Sequence, residues 1–310
     1  MSEMGKAKTN DSAETGQISV APLKNRWYAL AVLVLVFTSS HVDRQIMGIL
    51  LEPIKNDLGA SDTQMGFLIG LTFALFYATL GMPIAMLADR GNRRNIITWA
   101  VAIWSFMTVA CGFAQSFAQL ALARIGVGIG EAGSSPPSHS MISDMFPLKE
   151  RGTAMGIYAM GVNIGLLIAY LAGGWLSEHY GWRATFIIVG VPGLLIALIV
   201  RFTVSEPVRG ASDNTQTVAA APPFRDVANY MWSTPSARHV VFGSALAGFV
   251  GYGMVLWLPA FFVRSHGLSQ TEVGFTLALM SGVVGGTGTF LAGKFADMLG
   301  KRDQRWFTWI

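Results

Sequence analysis

The chain has 310 residues, of which 52% are hydrophobic and 13% charged, with a mean hydropathy of +0.46 and a net charge of +4. Soluble chains carry about 25% charged residues, so a soluble globular protein, which needs polar side chains to cover its surface, is excluded first. One cysteine, Cys111, excludes an internal disulfide and a multi-cysteine metal site, and the five scattered histidines include no pair at metal-ligand spacing, so no cofactor or metal is expected.

Residues 1–26 are a polar N-terminal tail without the apolar core of a signal peptide. Eight apolar runs follow, at about 27–51, 66–87, 95–117, 119–141, 153–176, 184–200, 239–263 and 274–293. They are close to the ~20 residues of a membrane-crossing helix and do not alternate as barrel strands do, which predicts an all-α polytopic membrane protein.

Segment one carries His41, Asp43 and Arg44 inside its apolar run. The loop after segment two reads Ala88-Asp89-Arg90-Gly91-Asn92-Arg93-Arg94. Segment four holds Arg124 and Glu131, seven residues and about 10 Å apart along one helix face. It also holds Gly128, Gly130 and Gly133 in the G-x-G-x-x-G spacing of a dinucleotide fingerprint, but no strand precedes them, so that reading is rejected. Pro136 and Pro137 are expected to kink the helix just beyond Glu131. Small residues recur every four positions in segment two (Gly66, Gly70, Ala74, Ala78) and segment five (Gly161, Gly165, Ala169, Gly173), which suits close helix contact.

Charged side chains inside a membrane are costly and usually face an interior cavity. Segments one and four run in opposite directions, so Asp43 and Arg44 are expected at a depth between Arg124 and Glu131. Two readings of the four charges stay open: a static network holding two helices together, or a proton- or anion-responsive cluster. His41 is a candidate lining residue of the same cavity.

Seventeen Lys and Arg fall in the tail and the loops after segments two, four, six and eight, against three on the other side (Lys55, Arg183 and Arg264). That asymmetry places both chain ends in the cytoplasm and removes nucleic acid as a partner. The polar stretch 201–238, with Pro207, Pro222, Pro223 and Pro235, reads as a cytoplasmic linker between residues 27–200, a six-helix bundle, and 239–310, the start of a second, incomplete bundle. A shift of 208 residues places Gly59, Ser61, Thr63, Gly66 and Phe67 on Gly267, Ser269, Thr271, Gly274 and Phe275, and Ala88, Asp89 and Arg94 on Ala296, Asp297 and Arg302. Such a register indicates duplication, common in transporters. It predicts twelve helices, of which this chain has eight, either because it is truncated after Ile310 or because the protein lacks four.

The two Asp-Arg loops resemble the signature G-x-L-A-D-R-x-G-R-R of the major facilitator superfamily, with Ala85 and Asn92 replacing glycine in the first copy and Phe295 and Met298 departing in the second. Asp43-Arg44, Arg124 to Glu131-Ala132, Asp144-Met145-Phe146-Pro147 with Arg151, and Ser205-Glu206-Pro207-Val208-Arg209-Gly210 narrow the resemblance to the Spinster-like branch. The resemblance implies the major facilitator fold, with two bundles rocking about a central site. It implies a latch on the cytoplasmic side, assigned to Asp89, Arg90, Arg93, Arg94, Asp144, Arg151, Asp297 and Arg302. It also implies a proton-coupled secondary transporter of an amphipathic or anionic small molecule, such as a lysolipid or sphingolipid, in a bacterial inner membrane. Asp43 and Glu131 would then couple protons, with Arg44, Arg124 and His41 as charge partners or substrate contacts. Substrate, protons and membrane lipids are the expected partners. A drug or organic-anion exporter and an inactive transporter fragment are the alternatives; an enzyme is not expected, since no catalytic constellation appears.

Overall fold

The computed structural model describes residues 25–212 and 224–285, with a few positions beyond, so residues 1–24 of the tail and, in the second signature loop, Asp297 and Arg302 lie outside the described residues. Every regular element among them is helical. Segment one is Arg26–Leu58, closed by Gly59 in a left-handed conformation (φ 61°) whose N–H caps the Lys55 carbonyl. Segment two is Asp62–Gly66, a π-helical turn Phe67–Leu71 and Thr72–Arg90. Segment three is Arg93–Gly112. Segment four is Phe117–Glu131 and Ser135–Met145, interrupted at residues 132–134, where the prolines were expected to act.

Leu148–Thr203 reads as one helix of 56 residues, which at 1.5 Å per residue would be far too long for a single crossing. Gly181 resolves this: its φ of 78° and ψ of 164° break the helix into segments five and six, a conformation open essentially only to glycine. Segment seven is Pro235–His266, and segment eight begins as Gln270–Ala278 and continues through a π-helical turn, Leu279–Val284. A short helix, Phe224–Ser233, precedes segment seven, so the linker region is partly helical.

Segment one is the axis. Its second half (Ile46, Met47, Leu50, Ile54) joins an apolar core that also takes in Ala260, Val273 and Leu277 from segments seven and eight. Its first half (Leu30, Leu33, Val36) joins a second core, made with Ile97, Trp104, Met141 and, from segment six, Ala197 and Val200, that contains no residue of segments seven or eight. Between the two cores lie Ser40, His41, Asp43, Arg44, Arg124 and Glu131.

The small-residue faces of segments five and two pack in different ways. Gly161, Gly165 and Gly173 of segment five receive segment one, against Phe37, His41 and Ile46. The crossing between segments five and eight uses Gly174 and Gly274, one position further round: a Cβ on Gly274 would stand 2.3 Å from the Tyr170 carbonyl oxygen. In segment two the π-helical turn begins just after Gly66 and includes Gly70, so residues four apart no longer align; a Cβ on Gly66 would stand 3.5 Å from the Trp257 ring while one on Gly70 would meet nothing within 4 Å.

The end carrying the basic loops is tied together by Arg93, which is fully buried at the start of segment three. Its Nε donates to Glu206 (2.8 Å), Nη1 to Ser140 (2.8 Å) and to Asp144, and Nη2 to the Pro207 carbonyl (2.8 Å). Glu206 also accepts the Arg94 N–H (2.7 Å), a carboxylate at a helix N-terminus where the backbone dipole favours it. Asp144 accepts the Gly210 N–H (3.0 Å), and Arg209 donates to the carbonyls of Ala88 and Gly91. The chain leaving segment six is thus strapped across the first half.

Five variants test these contacts. Gly274→Val forces segments five and eight apart and should destabilise the protein by about 1–3 kcal/mol in thermal unfolding, whereas Gly156→Ala, at an exposed helical position with nothing within 4 Å, should be neutral or stabilise by up to about 1 kcal/mol. Arg93→Gln leaves two carboxylates without their cation and should cost about 3 kcal/mol in denaturant unfolding, with Arg93→Lys failing to rescue because one ammonium cannot serve the same fan of acceptors. Arg90→Gln, at an exposed position, should stay within about 0.5 kcal/mol.

Candidate functional site

The charges read from segments one and four meet in the layer between the two apolar cores. Glu131 is fully buried, Asp43 is 1% and Arg124 2% exposed. The Arg44 Nε pairs with Glu131 Oε2, which also accepts the Ser40 hydroxyl at 3.0 Å. Arg124 reaches segment one through the backbone, donating from Nη1 to the Asp43 carbonyl at 3.4 Å. Asp43 itself faces Thr108 and Trp104 of segment three.

Glycine makes this approach possible. A Cβ on Gly130 would stand 2.6 Å from the Trp104 backbone nitrogen, and one on Gly128 3.0 Å from the Phe73 carbonyl oxygen. The glycines that mimic a dinucleotide fingerprint therefore let segment four lie against segments two and three, bringing Arg124 and Glu131 inward. The break beyond Glu131 is closed by serine: Ser134 Oγ donates to the Glu131 carbonyl (3.1 Å) and Ser138 Oγ to the Ser134 carbonyl (2.7 Å).

The layer is incompletely satisfied. Asp43 Oδ1, Arg44 Nη2, Arg124 Nε and Glu131 Oε1 are buried with no hydrogen-bond partner among the described residues. Buried polar atoms of native proteins are nearly always paired, so such a concentration asks for an explanation. Two aromatic rings that the sequence did not single out complete the surroundings. The Arg44 guanidinium lies 5.1 Å from the Phe73 ring and 4.6 Å from that of Tyr77, and Arg124 lies 5.7 Å from Phe73. Phe73 and Tyr77 stack on each other, 5.5 Å apart at i and i+4; that spacing in the segment facing the charges was the available signal.

His41 sits beside the layer without joining its hydrogen bonds. Its Nδ1 is 2.9 Å from the Phe37 carbonyl, and its ring packs edge-on to Phe37 while its Cβ borders Gly165. Of the residues assigned to a latch, the structure brings Arg93 and Asp144 together, adds Glu206, and leaves Asp89 and Arg90 exposed. The Arg94 side chain bonds Asn95, and Arg151 donates to the Ser143 carbonyl (2.9 Å). No group of three or more His, Cys, Asp and Glu side chains suited to a metal converges among the described residues.

The opposite end carries a second polar cluster. Arg264, at the end of segment seven, binds Glu52 of segment one (2.5 Å) and grips Asp62, at the start of segment two, with both terminal nitrogens (2.6 and 3.1 Å). Lys55 joins at 2.7 Å from Asp62, and Arg183 pairs with Asp57 at 2.7 Å. All three basic residues on the sparsely charged side are thus neutralised by a carboxylate.

The Major Facilitator Superfamily model matches residues 33–310. The structure of a bacterial homologue of the human lysosomal transporter Spinster, in an inward-facing and unoccupied conformation, is similar at a TM-score of 0.80 and 40% identity, over 91% of this chain and 64% of that one. An MFS-type efflux pump of Mycolicibacterium smegmatis is 37% identical over 93% of this chain and 66% of its own length. A probable galactarate/D-glucarate transporter of Bacillus subtilis is 28% identical over 90% of this chain and 66% of its own. The chain spans about two thirds of the length of each. With its all-helical element order and these similarities, the chain belongs to the major facilitator superfamily, in the Spinster-like branch.

Proposed function

We propose that the protein is a proton-coupled secondary transporter working by alternating access, with residues 27–200 as one bundle, 201–238 as the linker and 239 onward as the second bundle. The observation that carries this reading is the buried layer of Asp43, Arg44, Arg124 and Glu131, in which Arg44 pairs with Glu131 and each of the four side chains keeps one buried nitrogen or oxygen without a hydrogen-bond partner. A purely structural network would be expected to satisfy its members, because a half-satisfied buried charge costs more than an apolar core.

The chemistry follows from the pairing. A proton taken up by Glu131 removes the charge that holds Arg44, and the guanidinium is then open to an anionic group of the substrate. Protonation and anion binding are coupled in this way, and the coupling is reciprocal. Asp43, whose carbonyl accepts from Arg124, is the second protonation site in this reading, and His41 lines the cavity. Phe73 and Tyr77 beside Arg44 suit a substrate whose anionic group is joined to an apolar part, as in a lysolipid or sphingolipid. A smaller organic anion is the second reading, favoured by the relatives named as galactarate/D-glucarate and sulfoacetate transporters.

The basic-loop side is the cytoplasm of a bacterial inner membrane in this reading, with both chain ends on it. The cluster of Glu52, Asp62 and Arg264 then seals the outer side, together with the Gly174–Gly274 crossing and the contact of Gly48 with the Leu256 carbonyl. The likeness to an inward-facing structure supports that assignment.

In proteoliposomes, Glu131→Gln and Asp43→Asn should each lower pH-gradient-driven flux at least about tenfold, an activation cost of about 1.4 kcal/mol; intact flux in both variants would refute proton coupling through this layer. Lysolipids should raise the thermal stability of the full-length protein and galactarate should not, the reverse pattern selecting the organic-anion reading. Arg264→Gln should speed modification of a cysteine placed at Leu256 by a membrane-impermeant thiol reagent added from the outside; an unchanged rate would remove Arg264 from the seal.

A further inference from the structure

Phe224–Ser233 is a ten-residue helix separated from segment seven by Thr234 alone. At about 100° per residue, Val227, Met231 and Ala228 fall together on one side, with Tyr230 at one edge and Trp232 at the other. Arg225, Asn229, Ser233 and Asp226 fill the remaining arc, so the partition into apolar and polar sides is complete. The apolar side is uncovered by the described chain: Val227 is 43%, Met231 38%, Tyr230 64% and Trp232 67% exposed.

We propose that this helix lies flat on the membrane, with Val227 and Met231 seated in the boundary between phospholipid headgroups and acyl chains on the side of the basic loops. Continuity argues for this occupant. The helix ends one residue before a chain segment that enters the bilayer, and the corner is fixed by the Thr234 N–H donating to the Tyr230 carbonyl (3.0 Å) and Arg238 Nη1 donating to the Trp232 carbonyl (3.2 Å). Its end therefore cannot leave the level at which segment seven begins. The arrangement of its residues agrees: tyrosine and tryptophan, each with an apolar body and a polar tip, flank the apolar stripe where headgroups meet water. With one arginine and one aspartate on the polar arc, the helix carries no net charge, so apolar burial and not attraction to anionic lipid holds it. The placement is independent of what the protein transports, and it fixes the point from which segment seven enters the membrane.

Spin labels at Arg225→Cys, Val227→Cys, Asn229→Cys and Met231→Cys test this in the full-length protein in phosphatidylcholine bilayers; the buried Cys111 contributes little background. Collision with dissolved oxygen, enriched in the bilayer, is compared with collision with a water-soluble nickel chelate. The ratio should be several-fold higher at 227 and 231 than at 225 and 229, and unchanged when phosphatidylserine is added. Equal nickel access at all four positions would mean a solvated linker and overturn the proposal. Shielding of 227 and 231 from both reagents would place protein on this face and overturn it equally. A ratio that appears only with phosphatidylserine would overturn the apolar mode of attachment.

Discussion

A charge buried in a bilayer must be met by another charge, and the packing of the first six segments is organised around that requirement. Arg44 and Glu131 come from helices that are antiparallel neighbours, and Arg124 reaches back to the same turn of segment one. To hold these groups together, segment four must lie tightly against segments two and three, which Gly128 and Gly130 permit. The apolar residues then divide into two cores above and below the charged layer, with segment one passing through both. Neither core replaces the pairing, because deleting one partner would strand the other in a medium without water.

The two cores differ in membership, and the difference separates rigidity from contact between halves. On the basic-loop side the core holds only residues of the first six segments, and Arg93 stitches segments three and four to the chain leaving segment six. On the opposite side the core includes Ala260, Val273 and Leu277, and the polar contacts of Arg264 run between segments one, two and seven. One end consolidates a bundle; the other joins it to the segments that follow. An exposed ion pair contributes little to stability, so a partly exposed cluster such as that of Arg264 can seal an end without locking it.

Segment number, helical character and the buried charges were legible from the sequence, because hydropathy and charge in a membrane leave few alternatives. The interruption of segment four at its prolines was legible for the same local reason. What could not be read depended on rotation about a helix axis. Asp89 stands in the recognisable motif, yet it is Arg93, four residues on, that is buried, with its partner Glu206 more than a hundred residues away. The stripe of segment five faces segment one, while the neighbouring Gly174 meets segment eight. The stripe of segment two is divided by a π-helical turn that no spacing in the sequence announces. Phe73 and Tyr77 follow that turn, so their direction toward Arg44 depended on it as well.

The 208-residue register of the sequence reappears at the level of single hydrogen bonds. Ser61 and Gln64 form a reciprocal cap at the start of segment two, and Ser269 and Glu272 form the same cap at the start of segment eight, each just after a left-handed glycine, Gly59 or Gly267. A capping box fixes the first turn of a helix and the angle at which the chain enters it. Both helix starts therefore stand at the same end of the molecule with their first turns held alike, and both are used for contact across the halves: Asp62 receives Arg264 from segment seven, and the Thr271 N–H donates to Glu178 of segment five (2.8 Å). The partners differ because they come from different neighbouring helices, but the position that receives them is the same. A cap present in two copies thus supplies two anchor points for closing one end, and their placement follows from local helix chemistry before any contact between the halves is made.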